Sequence, residues 1–132
     1  MGTIVVGYDG SEPSKHALDR AAALASGGKV IVVSAAHPLI SRAGQVVDPI
    51  EDDDSRRHLA EAKTRLTELG VDAEAVEGIG DPADVITAEA EKTDADMIVV
   101  GSNGKNLLER LLAGSVSSGV TRKSKADVLV VH

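Results

Sequence analysis

The chain has 132 residues, 42% of them apolar, and 14 Lys and Arg against 21 Asp and Glu leave a formal net charge of −7. That apolar share builds a packed core and excludes a disordered chain, and the acidic balance gives no electrostatic reason to approach DNA, RNA or an anionic membrane. Tyr8 is the only aromatic residue and cysteine is absent, which removes base-stacking single-strand binding, disulfide scaffolds, thiol nucleophiles and Cys-ligated metals.

Residues 3–7, Thr-Ile-Val-Val-Gly, form a short apolar run that predicts a buried strand. Tyr8-Asp9-Gly10-Ser11 then reads as a turn, with Ser11 capping a helix whose first turn holds Glu12 and Pro13. The helix is expected to run to about Ser26 and to bury Ala17, Leu18, Ala21, Ala22, Leu24 and Ala25, with Gly27-Gly28 ending it. Val30-Ile-Val-Val predicts a second buried strand closing at Ser34-Ala35-Ala36. Residues 37–50 contain Pro38, Gly44 and Pro49 without a clear period and read as a long loop.

Helical spacing returns over residues 51–69, with Leu59, Ala62, Leu66 and Leu69 on one face and Gly70 just beyond. The acidic run Glu51-Asp-Asp-Asp complements a helix dipole better than it would hold a metal, because four consecutive side chains point in different directions. Residues 71–77 alternate loosely and suggest an edge strand, and Asp81-Pro82 caps a third helix carrying Val85, Ile86 and Ala90. Met97-Ile-Val-Val is another apolar strand, a short helix is expected around 107–112 and a longer one over 115–123, and residues 127–132 close the chain as a last strand. Apolar strands alternating with helices predict one α/β domain over residues 1–132 with a mostly parallel sheet. Ligands of such sheets bind beyond the carboxyl ends of the strands, which singles out Asp9 and the loop from Gly101 onward.

In that loop, glycines let the backbone approach a phosphate, Ser115 and Ser117 open a helix whose N–H groups attract an anion, and Lys105 adds a cation. On glycine spacing alone, a plain turn at 101–104 with Ser115 as a helix cap stays open. The filled pattern Gly-x2-Gly-x9-Gly-Ser, made by Gly101, Gly104, Gly114 and Ser115, resembles the ATP-binding signature of the universal stress protein family. Ile4-Val-Val-Gly-Tyr-Asp9-Gly-Ser-Glu, Gly80-Asp-Pro-Ala-Asp-Val-Ile86, Asp96-Met-Ile-Val-Val-Gly-Ser102 and Val128-Leu-Val-Val131 are similar to further segments of that family in the same order. The resemblance covers the chain apart from residues 37–50.

It implies an open, twisted, five-stranded parallel sheet in the order 3-2-1-4-5 with helices on both faces, Rossmann-like and similar to the adenine nucleotide alpha hydrolases. It also implies nucleotide binding by Gly7, Asp9, Ala35, Gly101, Ser102, Asn103, Gly104, Lys105, Gly114, Ser115, Val116 and Ser117. Asp9 would meet ribose or adenine, Ala35 would offer its backbone to the adenine edge, and the loop would surround phosphates and ribose. ATP is the ligand the signature implies, with Mg²⁺ held through the phosphates and no catalytic residue or protein metal ligand. Family members act as stress-response switches or very slow ATPases. Three departures stand out. Asn103 occupies a place where His or Arg is frequent, Ser34 replaces a common His, and Lys123-Ser-Lys-Ala-Asp127 replaces an Ala-Pro-x-Pro-like segment. The first two leave AMP and cyclic AMP open beside ATP.

A receiver domain would need an acidic pair after the first strand and a Lys on the last, and a P-loop would need glycine where Val99 stands. Gly-x-Ser-x-Gly is absent, and His16, His37, His58 and His132 show no metal-ligand spacing and are expected at the surface. The competing expectation is a protein-interaction module of the same fold that uses no nucleotide. The apolar strand Val128-Leu-Val-Val131, if at an edge, is a template for a homodimer. No apolar run approaches the roughly 18 residues a membrane span needs, and Met1-Gly-Thr-Ile-Val-Val lacks the pattern of a signal peptide. A cytoplasmic protein with no nucleic-acid or membrane partner is expected.

Overall fold

The computed structural model describes residues 2–25, 27–36, 39–40, 46–47, 53–102 and 126–132. In chain order the elements are β1 (Thr3–Gly7), α1 (Glu12–Leu24), β2 (Lys29–Ala36), β3 (Leu39–Ile40), β4 (Val46–Val47), α2 (Asp53–Glu68), β5 (Asp72–Ile79), α3 (Pro82–Lys92), β6 (Met97–Gly101) and β7 (Asp127–Val131). The five long strands pair in parallel in the order β5-β2-β1-β6-β7. Counting only those strands, this is the expected order 3-2-1-4-5. The helices expected at 107–112 and 115–123 lie outside the described residues.

Strands β1, β2 and β6 are apolar on both sides because both sides of the sheet are covered. One side carries Ile4, Val6, Val30, Val32 and Val99 against Ala17, Leu18 and Ala21 of α1 and Leu59, Ala62 and Leu66 of α2. The other carries Val5, Ile31, Val33, Ile98 and Val100 against Ala83, Ile86 and Ala90 of α3. Among the described strands β5 pairs only with β2, and it exposes Asp72 and Glu74, as an edge strand with solvated positions should.

The helices begin where short polar side chains replace missing backbone partners. Ser11 Oγ accepts from the Ser14 N–H, and Asp81 Oδ1 accepts from the Ala83 and Asp84 N–H groups, with a proline at the start of each helix. Gly27 and Gly70 follow α1 and α2 at φ +74° and +78°, the left-handed backbone that glycine adopts without a β-carbon penalty.

Several expectations need correction. The first helix ends at Leu24, whose side chain is 46% exposed, and Ala22 is only half-buried. Leu24 stands on the margin of the stripe Ser14, Ala17, Leu18, Ala21 and turns to solvent, while Ala25 after it stays in the core. Leu69 is 50% exposed because α2 stops at Glu68 and the chain has already turned toward Gly70. Residues 37–50 are not loop throughout, since Leu39–Ile40 pairs antiparallel with Val46–Val47, a ladder that β-branched side chains favour. His58 is half-buried rather than superficial: its ring stands edge-on to Tyr8, with centroids 6.2 Å apart.

Candidate functional site

From β1 the chain winds outward through β2 to β5, and α3 then carries it back across to β6 on the opposite side of β1. The carboxyl ends of β1 and β6 therefore flank the switch point where open parallel sheets hold ligands. Gly7, Asp9, Ala35, Gly101 and Ser102 of the expected nucleotide set fall among the described residues. Asn103, Gly104, Lys105, Gly114, Ser115, Val116 and Ser117 lie outside them.

The loop after β1 is built by short-range hydrogen bonds. The Tyr8 N–H donates to the Val33 carbonyl at 3.0 Å, continuing the ladder one residue beyond the strand. Asp9 Oδ1 then accepts from the Ser11 N–H at 2.9 Å while Gly10 takes φ +83°. This turn sets the Asp9 carboxylate, which is exposed, at the mouth of the switch point. Buried Tyr8 anchors it from below. Burial pushes the Tyr8 hydroxyl above its ordinary value, with the Glu61 and Asp9 charges adding to the effect and Lys15 opposing it.

The end of β6 meets that loop directly. A β-carbon added to Gly101 would stand 2.8 Å from Pro13 and from the Ser14 backbone nitrogen, so only glycine lets the first turn of α1 lie on the strand end. Ser102 donates its N–H to the Val131 carbonyl at 2.9 Å and fixes the direction in which the chain leaves β6. Gly7 is tight for another reason, because its β-carbon would meet Ile86 Cδ1 at 2.6 Å and Val100 Cγ1 at 3.3 Å. Ala35, half-buried, sits opposite Gly78 of β5. The structure thus brings Gly7, Asp9, Gly101 and Ser102 to one switch point, with Ala35 on the strand next to β1.

Comparison with known proteins decides the family. The sequence matches the universal stress protein family over residues 1–132. The chain belongs to the universal stress protein family. A universal stress protein of Mycobacterium tuberculosis is 32% identical over 139 residues, covering 98% of this chain and 95% of that one. The stress response protein NhaX of Bacillus subtilis is 33% identical over 159 residues, covering 97% and 96%. Among solved structures, a universal stress protein in complex with cAMP is 36% identical, with a TM-score of 0.71 and coverage of 99% and 97%. A universal stress protein from Archaeoglobus fulgidus in complex with dAMP shares the fold, with a TM-score of 0.77 at 22% identity and coverage of 100% and 98%.

This universal stress protein also has an open cleft of about 790 Å³ between α1 and α2, where Lys15, Arg57 and Arg65 face Glu12, Asp19 and Glu61. Arg65 ties the two helices by donating from Nε to Asp19 Oδ1 at 2.6 Å and from a terminal nitrogen to Oδ2 at 2.8 Å. Those bonds hold the Asp19 carboxyl below its usual value. A lowered carboxyl contributes stability above the unfolded value of about 3.9 and loses it as pH falls through the folded value. Asp19→Asn is therefore expected to lower the thermal midpoint slightly at neutral pH, the effect being small because the pair is exposed. Calorimetry at about pH 7 and about pH 2 checks this: the gap from the native chain should close in acid. A gap of equal size at both would show that the carboxylate charge is not involved.

No helix among the described residues is long and apolar enough to cross a membrane. Sequence reasoning passed over three side chains beside the site: Tyr8, His58 and Glu77. The available signal was an interruption of the apolar pattern, since Ser34 on β2 and Glu77 on β5 are polar and stand opposite each other in register.

Proposed function

We propose that this protein binds an adenine nucleotide across the carboxyl ends of β1, β2 and β6 and acts as a cytoplasmic stress-response switch. The observation that carries the reading is the meeting of the Asp9 turn with Gly101 at the switch point, in a chain 36% identical to a protein solved with cAMP. Asp9 accepts hydrogen bonds from ribose or adenine, and the Ala35 backbone meets the base. Residues Gly101, Ser102, Asn103, Gly104, Lys105, Gly114, Ser115, Val116 and Ser117 surround ribose and phosphates. The Gly-x2-Gly-x9-Gly-Ser pattern supports ATP, with Mg²⁺ held through its phosphates, and the cAMP complex of the relative supports the cyclic monophosphate. Two copies pair through β7, whose outer edge is unpaired among the described strands and whose Val128, Leu129, Val130 and Val131 are half-buried. Elution as a monomer at micromolar concentration would sink that pairing.

Thermal unfolding with ATP, AMP and cyclic AMP, each with and without Mg²⁺, tests the binding. Ligand at a hundred times its dissociation constant adds about 2.7 kcal/mol, a rise of roughly 10 °C for a chain of this length. A rise with one nucleotide names the ligand, and dependence on Mg²⁺ points to a triphosphate. No rise with any of them, in protein freed of nucleotide, favours an interaction module of the same fold.

A further inference from the structure

Three successive rows cross the sheet on the side covered by α1 and α2. The pairing gives Ile4–Val30–Ala73, then Val6–Val32–Ala75, and Ser34–Glu77 next. Tyr8 extends the third row, since its N–H continues the β1–β2 ladder to Val33 and its ring packs in the same cluster as Val6 and Val32. The first two rows are wholly apolar and belong to the core. The third pairs polar Ser34 with Glu77 beside the Tyr8 ring and lies at the carboxyl end, one residue before Ala35 and Gly78. Ser34 is buried, and Glu77 Oε2 is buried with no hydrogen-bond partner among the described residues.

A buried acceptor without a donor is unfavourable, and native proteins keep very few. Glu77 is half-buried at an edge strand, where a shorter or apolar side chain would remove the problem. From these observations we infer that Glu77 is the base-reading acceptor of the site, taking a hydrogen bond from the exocyclic amine of adenine. This rests on the nucleotide reading above and adds the group that selects the base. The unpartnered carboxyl oxygen is an acceptor, so it suits the 6-amino group and not the 6-oxo group of hypoxanthine. Such a mismatch leaves buried polar groups unpaired, which is where strong discrimination arises. Ser34 stands opposite Glu77 in register, and Tyr8 continues the same row on β1.

The test titrates the full chain, by calorimetry, with the adenine nucleotide that raises the midpoint most, its 6-oxo counterpart and its N6,N6-dimethyl counterpart. The native chain is expected to bind the adenine form roughly tenfold or more tightly than either analogue. In Glu77→Gln the preference over the 6-oxo form should fall to near unity or invert, because the amide can donate to the oxo group. Equal native affinity for the 6-amino and 6-oxo forms overturns the inference while leaving nucleotide binding intact. So does a preference that survives Glu77→Gln. No native binding of any adenine nucleotide overturns both readings together. If Glu77→Gln fails to fold by circular dichroism, Glu77→Ala carries the same comparison, and a preference over the 6-oxo form that survives it overturns the inference, since the Ala35 backbone is unchanged in both variants.

Discussion

Gly101→Ala is expected to lower the thermal midpoint by roughly 5–10 °C, equivalent to about 1–3 kcal/mol of overpacking. The added methyl would stand 2.8 Å from Pro13 and from the Ser14 nitrogen. These atoms cannot yield by rotating a side chain. Pro13 and Ser14 form the first turn of α1, which is held to Ser11 by the Ser14 N–H to Ser11 Oγ bond and the Ser14 Oγ to Ser11 carbonyl bond at 2.8 Å. Ser11 is in turn bonded to Asp9. Relief therefore requires the helix start, the cap and the Asp9 turn to move as a unit. On the nucleotide reading, where Gly101 lies beside ribose and phosphates, the same substitution also weakens binding. Unfolding of the ligand-free variant separates these effects, since a glycine that served only a ligand would leave the ligand-free midpoint unchanged.

The packing of Gly101 shows what sequence could and could not reveal. The four apolar strands, the capped helices and the closing glycines were legible because each rests on a local rule: apolar runs, short polar caps and left-handed glycines. The strand order was legible through family resemblance. Packing of Gly101 against α1 was not, because the partner residues lie nearly ninety positions away in the chain and nothing in either segment encodes their approach. The misreadings share that origin. Helical period put Leu24 and Leu69 with the core, but period alone tells neither how wide a stripe the sheet covers nor that α2 stops at Glu68. His58 gave no signal either, since its burial comes from the Tyr8 ring and Gly10 brought beneath it by β1.

The two sides of the sheet also divide the work at the switch point. On the α1 and α2 side the apolar rows end in polar Ser34 and Glu77, so this side supplies hydrogen-bonding groups. On the α3 side the packing stays apolar up to Gly7, where Ile86 and Val100 close over the last residue of β1. A wall of this kind fixes the height at which Asp9 leaves the strand, because the turn begins one residue beyond the tight contact.

That wall yields a second large effect and a way to isolate it. Ile86 is 3% exposed within the α3-side core, and Ile86→Ala is expected to cost about 2–5 kcal/mol through lost burial and the cavity left behind. Gly7→Ala is expected to cost about 1–3 kcal/mol alone, because the new methyl would lie 2.6 Å from Ile86 Cδ1. That atom is the far end of a side chain, so the conflict disappears when Ile86 is shortened, and the methyl then occupies part of the cavity. Chemical denaturation of the four proteins of the cycle should give a double variant less destabilised than the sum of the single ones, by about 1 kcal/mol or more. The remaining contact, Val100 Cγ1 at 3.3 Å, is mild enough to leave that rescue visible. Strict additivity would mean that Gly7 is constrained by the strand backbone and not by α3, and that the height of the Asp9 turn is set within the sheet alone.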